Sequence, residues 1–239
     1  MTTKAKDNPW FLEKTYIRQG MRFVVGVDEV GRGPLVGSVV ACAASLLSEK
    51  CSWRNEEKKM WGYIRDSKTL SELKREALYD FIQERFVLGV GSVSSETIDR
   101  INILQATFLA MKKAISDWKR KMMALKKGEG IEEIERIMFL VDGNMIIPNI
   151  TLSQKAVERG DSFIKSISAA SIVAKVVRDR EMKELDKKYP QYGFLRHKGY
   201  GTREHMEALQ KFGPIKDHRK SFAPVRKCLD ELRKYGADV

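Results

Sequence analysis

The apolar and polar positions of the chain follow two periods. Residues 22–27 form a short, β-branched apolar run that reads as a buried strand. Residues 31–34 punctuate it as a turn, and 36–47 suit a second strand, which predicts a hairpin with a long first connection. Residues 86–93 predict a third strand. Residues 137–141 are short and wholly apolar, the pattern of a strand covered by helices on both faces. Between these runs the period becomes helical. Residues 71–84 repeat Leu73, Ala77, Leu78, Phe81 and Ile82, with Ser71 as the N-cap and Lys74 where a capping box would need Glu. Residues 95–125 predict a long amphipathic helix broken once, and 164–189 a helix stopped by Pro190. Shorter helices are expected at 203–212 and 225–235. Residues 48–66, polar around Trp53 and Trp61, read as a loop, and 126–135 as a charged surface excursion. A hairpin, then alternating strands and helices, then helices alone give an α/β layer with a C-terminal helical appendage.

Composition narrows the class. With 239 residues and 43% hydrophobic content, the chain suits one large domain, or one domain plus an appendage. No apolar run approaches the roughly 20 residues of a membrane span. The first 16 residues are polar and mixed in charge, without the apolar core of a signal peptide, so a cytoplasmic protein is expected. Cys42, Cys51 and Cys228 form no Cys-x-x-Cys pair, which argues against zinc or a disulfide framework; Cys42 reads as a small buried hydrophobe.

A net charge of +12 favours a polyanionic partner, nucleic acid ahead of a membrane surface. Residues 191–227 hold nine Lys or Arg against three Asp or Glu, so half the net charge sits in about a sixth of the chain. His197, His205 and His218 fall there too. The segment is either a solvated basic face or a surface that meets phosphates.

The candidate chemistry lies in acids at strand ends. Asp28 and Glu29 end the first apolar strand, and Asp142 ends the isolated strand at 137–141. Asp161 follows Gly160, ahead of the main C-terminal helix. A single strand-end Asp usually caps a loop. Two apolar strands that each end in acid, in a basic protein, point instead to acids converging where α/β sheets bind ligands. Like charges at short range repel, and divalent cations remove the problem; oxygen-only ligands suit Mg²⁺ or Mn²⁺.

The run Gly26-Val27-Asp28-Glu29-Val30-Gly31-Arg32-Gly33-Pro34-Leu35-Val36-Gly37 resembles the signature of type 2 ribonucleases H, the ribonuclease HII family. Further matches follow in order: Asp66-Ser67-Lys68-Thr69-Leu70-Ser71, Asn102-Ile103-Leu104-Gln105-Ala106-Thr107, Asp142-Gly143-Asn144, and Gly160-Asp161 leading to Ser168-Ala169-Ala170-Ser171. Tyr192-Gly193-Phe194, His197-Lys198-Gly199-Tyr200-Gly201-Thr202 and His218-Arg219-Lys220-Ser221-Phe222 complete the set, which spans residues 22 to 227. Val30 and Val36 stand where the family usually has alanine, and 48–65 and 126–135 look like insertions.

The resemblance implies a ribonuclease H-like α/β fold, with a mixed five-stranded sheet flanked by helices and a C-terminal helical region. The implied organisation is an N-terminal extension at 1–21, a catalytic domain at 22–189 and a basic substrate-binding region at 190–239. It implies that Asp28, Glu29, Asp142 and Asp161 are the catalytic, metal-binding carboxylates, serving two Mn²⁺ or Mg²⁺ ions. It implies that the Gly31-Arg32-Gly33 loop reads the ribose 2′-OH and that Tyr200 presses on the following deoxyribose. On their own, the glycines would suit a tight turn and Tyr200 a packed aromatic. Lys68, Lys198, Arg219 and Lys220 are read as phosphate contacts or as a solvated face. Asn102 is read as a minor-groove contact or a helix cap, and Lys175 as near a phosphate or paired with an acid. Asp179, between Arg178 and Arg180, is set aside as a catalytic acid because the arginines can pair with it. The histidines are read as hydrogen-bonded or phosphate-facing rather than as general bases.

The implied activity is hydrolysis of the RNA strand of RNA–DNA hybrids, and of single ribonucleotides in duplex DNA, by a monomer. Two alternatives stand beside it. Ribonuclease HIII is similar but carries an additional N-terminal substrate-binding domain, for which about 22 residues before the first strand are too few. A non-catalytic nucleic-acid-binding protein on the same fold would not need four acids, and a nuclease assay with and without EDTA separates it.

Overall fold

The computed structural model describes residues 10–47, 55–64, 70–125 and 136–234. Its centre is a mixed sheet of five strands in the order β3-β2-β1-β4-β5. These are β1 (Phe23–Val30), β2 (Val39–Leu46), β3 (Phe86–Val93), β4 (Ile137–Asp142) and β5 (Ser153–Val157). The pairs β1–β2 and β2–β3 are antiparallel, whereas β1–β4 and β4–β5 are parallel. The helices are α1 (Phe11–Arg18), α2 (Asn55–Tyr63), α3 (Glu72–Arg85), α4 (Ser95–Ile101), α5 (Ile103–Leu125) and α6 (Lys165–Lys188), then α7 (Phe194–His197), α8 (Arg203–Phe212) and α9 (Ala223–Lys234).

Strand alternation divides β2 between two cores. Val39, Ala41 and Ala43 face α5, joining Phe108, Met111, Ile115 and Trp118. Val40, Cys42 and Ala44 face α3 and α6, joining Leu78, Ile82, Ala170 and Val173. Each large side chain so buried contributes roughly 1.5–3 kcal/mol relative to exposure. Trp118 is fully buried with its indole N–H donating to Ser45 Oγ at 3.0 Å, so its polar atom is satisfied.

Gly26 sets how closely α6 approaches β1. A Cβ there would stand 2.1 Å from the Ser166 carbonyl carbon, so only glycine allows the start of α6 to lie on the strand. α1 supplies the cap that α6 lacks: Glu13, buried, accepts from Ser166 N at 3.1 Å and Ser166 Oγ at 3.0 Å. The C-terminal helices form two further cores around the segment between β1 and β2. Leu35 packs with Leu209, Val225 and Leu229, and Val36 with Met182, Tyr192 and Phe194.

The pattern reading missed four elements, β5, α1, α2 and α7, the last a single turn at Phe194–His197 too short to show a period. β5 is a polar edge strand with alternating exposure and buries only Val157 fully, too little for an apolar run. α2 lies inside the expected loop at 48–66, where Trp61 and the following Ile64 anchor it in the α3–α6 core; its sequence is mostly polar, so no apolar period marks it. α1 falls in the expected extension. The predicted break in the long helix is real and sits at Asn102, whose φ of 65° interrupts α4 and α5. Residues 126–135, read as a surface excursion, lie outside the described residues.

Candidate active site

Parallel pairing places Val27 beside Val141, so the next residues, Asp28 and Asp142, are neighbours on adjacent strands. Asp161 arrives from the other side. After β5, Arg159 adopts a left-handed backbone (φ 56°) and the chain enters a short 3₁₀ turn at Gly160–Ser162. The Asp161 amide donates to Asp142 Oδ1 at 3.2 Å, and Ser168 Oγ of α6 donates to the Asp161 carbonyl at 2.6 Å, which fixes the turn. One carboxylate oxygen from each of Asp28, Asp142 and Asp161 lies within 4.8 Å of the others. Asp28 and Asp161 are buried and Asp142 is half-buried. A cleft of about 580 Å³ opens here, lined by Asp142, Gly143, Asn144, Glu158, Arg159, Asp161 and Ser162.

Burial holds the Asp28 carboxyl well above the usual carboxylate range, and the nearby charges of Glu29 and Asp142 push it the same way. Hydrogen bonds from Ser171 and from the Glu29 amide, at 2.7 Å, oppose that shift. Glu29 is also raised, mainly by burial and further by Asp142, while the Arg32 guanidinium pulls it down. Its carboxylate meets Arg32 Nη1 at 3.3 Å and lies outside the three-acid group. A buried, mutually repelling set of oxygen donors is strained when all are ionised and relaxed by a hard divalent cation. The donor chemistry therefore fits Mg²⁺ or Mn²⁺.

Gly31, Arg32 and Gly33 continue from β1. Gly31 has φ +90°, a conformation that favours glycine. Tyr200 is 49% exposed, and its ring lies against Gly33: a Cβ on Gly33 would stand 3.3 Å from Tyr200 Cε1. The loop and the tyrosine, 167 positions apart in the chain, thus share one surface beside the acids.

The remaining expected contacts separate by exposure. Lys220 is exposed, with its amide held by Asp99 Oδ2 at 2.8 Å. Lys198 is half-buried, in a left-handed backbone (φ 51°), with Nζ 3.5 Å from Glu72. Asn102 is an exposed helix cap, its Oδ1 accepting from Gln105 N at 3.1 Å. Lys68 lies outside the described residues. Arg219 does not face phosphates: it is fully buried and its guanidinium donates to backbone carbonyls of the 31–38 segment. A basic residue in a basic stretch reads as surface, and nothing in its local pattern marks burial.

Asp179 is indeed committed elsewhere, but not to its arginine neighbours. It takes Lys175 at 2.5 Å and Arg75 at 3.6 Å, while Arg178 pairs with Glu181 and Arg180 with Glu76. The three histidines are buried: His205 and His218 hydrogen-bond each other, His197 stacks on His205, and each bonds backbone. Ser168 and Ser171, part of the matched run but given no role in the sequence analysis, meet Asp161 and Asp28. Their spacing of three on α6 places both on one helix side and is the signal that could have found them.

The family model "Ribonuclease HII" matches residues 25–225. The chain belongs to the ribonuclease HII family. A ribonuclease HII of Vibrio campbellii is 46% identical over 229 residues, covering 95% of each chain. Among solved structures, ribonuclease H2 from Pyrococcus horikoshii superposes with a TM-score of 0.62 at 26% identity, over 89% of this chain and 99% of that one. Bst-RNase HIII in complex with Mn²⁺ shares the fold, with a TM-score of 0.64 at 18% identity, over 89% of this chain and 70% of that one. The mixed five-stranded sheet expected of the ribonuclease HII family is the one observed.

Proposed function

We propose that this chain is a metal-dependent endonuclease that hydrolyses the RNA strand of RNA–DNA hybrids and single ribonucleotides embedded in duplex DNA. The cut falls 5′ of the ribonucleotide, leaving a 5′-phosphate on it and a 3′-OH on the preceding nucleotide. The observation that carries this reading is the meeting of three acids, Asp28, Asp142 and Asp161, beside a glycine loop covered by Tyr200.

Asp28, Asp142 and Asp161, with Glu29 at their edge, would hold the divalent ions, Mg²⁺ or Mn²⁺, which when bound supply water activation and charge stabilisation at the leaving 3′ oxygen. The other roles belong to the chain. Ser171 and the Glu29 amide keep Asp28 oriented, and the Ser168 bond holds the Asp161 turn in place. The Gly31-Arg32-Gly33 backbone approaches the ribose 2′-OH, the local group that separates RNA from DNA. Tyr200, exposed and braced on Gly33, contacts the following deoxyribose. Lys198 and Lys220, with Lys68, meet backbone phosphates of the duplex, and Asn102 stands near its minor groove. The enzyme acts as a cytoplasmic monomer in ribonucleotide and primer removal. No described helix is long and apolar enough to cross a membrane.

The test is cleavage of a labelled duplex with one ribonucleotide. A single 5′ cut with Mg²⁺ or Mn²⁺, lost with EDTA and in Asp142→Asn, is the expected result. Cleavage that survives EDTA contradicts the proposal.

A further inference from the structure

Arg219 has its five donors matched by five carbonyl oxygens of one loop. Nη2 lies 2.5 Å from Gly31 O and 3.0 Å from Ser38 O. Nη1 lies 2.9 Å from Arg32 O and 2.7 Å from Pro34 O, and Nε 3.0 Å from Gly37 O. Arg178 takes a further carbonyl of the loop, with Nη2 2.6 Å from Val36 O. Backbone bonds tie the same two segments: Arg219 N to Leu35 O and Gly37 N to Asp217 O, each 2.8 Å. Most of the turn after β1 is thus folded around a cation delivered from the C-terminal region.

This arrangement has a directional consequence. In a trans peptide the carbonyl and the following N–H point opposite ways. Carbonyls of Gly31 and Arg32 drawn inward onto the guanidinium turn the amides of Arg32 and Gly33 to the other side of the loop. The neighbouring residue reaches Tyr200. Ile215 N–H donates to His218 Nδ1 at 2.9 Å, so neutral His218 carries its proton on Nε2, 3.0 Å from His205 Nε2. His205 then carries its proton on Nδ1, 3.0 Å from the Tyr200 carbonyl. Both parts of the surface, loop and tyrosine, are referenced to residues 218 and 219.

We infer that Arg219 is a positioning residue for ribonucleotide recognition, setting the Gly31-Arg32-Gly33 loop over the acids without touching nucleic acid. The inference rests on the proposed role of that loop. It predicts that Arg219 governs turnover on a ribonucleotide and not the grip on a duplex. Lysine keeps the charge but is a point donor that cannot span five carbonyls.

The experiment uses the full chain carrying Arg219→Lys, with two readouts in one Mg²⁺ buffer. These are kcat and KM on a duplex with one ribonucleotide, and Kd for the same duplex made wholly of DNA. The expected result is a kcat at least tenfold lower, with KM and the all-DNA Kd within about twofold of wild type. A wild-type kcat, or a weakened all-DNA Kd that accounts for the lost activity, overturns the inference. Should Arg219→Lys not fold at the assay temperature, Arg178→Lys loosens the same loop at Val36. It is expected to lower kcat with the all-DNA Kd unchanged, and an unchanged kcat there also overturns the inference. Wild-type enzyme that cuts all-DNA as fast as the ribonucleotide duplex would instead sink the reading of the loop itself.

Discussion

Gly33 and the ring of Tyr200 are in contact: a methyl group on Gly33 would stand 3.3 Å from the ring's Cε1. Gly33 does not have a positive φ, so Gly33→Ala meets no backbone strain and only displaces an exposed ring. Its stability should stay within about 0.5 kcal/mol of wild type, while cleavage next to a single ribonucleotide falls. Gly31→Ala differs. It must hold φ +90° with Arg178 Nε and Ser38 O each 3.0 Å away, and should cost about 1–3 kcal/mol. Thermal unfolding of both variants checks the contrast; equal losses would refute it.

Asp28 carries an electrostatic burden that a divalent cation would relieve. Its folded carboxyl is raised by burial and by Glu29 and Asp142, so at neutral pH without metal the ionised group opposes folding. Asp28→Asn should therefore raise Tm in EDTA by several degrees, on the order of 1–3 kcal/mol, while abolishing cleavage. Added Mg²⁺ should stabilise wild type more than the variant. A lower Tm for Asp28→Asn in EDTA would contradict this account.

The His205–His218 pair gives stability a pH dependence of known sign. Burial, chiefly, lowers His205 to about 4 and His218 to about 3. The groups facing the pair are the stacked ring of His197, the rings of Tyr192 and Phe194, the Tyr200 carbonyl and the Ile215 amide. In the unfolded chain both histidines titrate near 6.5. Between about pH 6.5 and pH 4 the unfolded chain binds protons that the folded one refuses, so stability falls as pH falls. His218→Gln should flatten that part of the curve, and the wild-type-minus-variant difference cancels the opposing trend from Asp28 and Glu29. A difference independent of pH would show that the pair is not held neutral.

Lys198 and Lys220 are the described members of the expected phosphate set that are not fully buried. Replacing both with alanine should make the slope of log affinity against log salt less negative by about 0.9 per lost phosphate contact. An unchanged slope would show that this surface does not track the backbone.

Much of the site was legible because its chemistry breaks a local rule. Asp28 and Asp142 are charges that close apolar strands, and the parallel β1–β4 register makes them neighbours. Asp161 needed the family resemblance, since a Gly-Asp pair in a turn is common and only the fold carries it across from β5. Glu29 was grouped with the three, yet its side chain is held by Arg32 at 3.3 Å. Arg219 was misread because a buried arginine looks like a surface one until its carbonyl partners, nearly 190 positions away, are folded around it. β5 and α2 were missed for a related reason: a polar edge strand and a mostly polar helix, anchored by Trp61 and the following Ile64, imprint no apolar period.

The central claim is that the acids cut and that the loop with Tyr200 selects the ribonucleotide. Divalent ions held by the acids would meet the same phosphate in RNA and DNA, so selection would have to come from groups at the 2′-OH, where an unpaired buried polar group costs about 1–3 kcal/mol. The direct measurement compares wild type and Tyr200→Ala on three duplexes: all-DNA, one ribonucleotide, and an RNA stretch on DNA. Wild type should leave all-DNA intact and cut the other two. Tyr200→Ala should lose far more activity on the single ribonucleotide than it loses in duplex binding. Cleavage of all-DNA at a rate comparable to the ribonucleotide duplex would contradict the account.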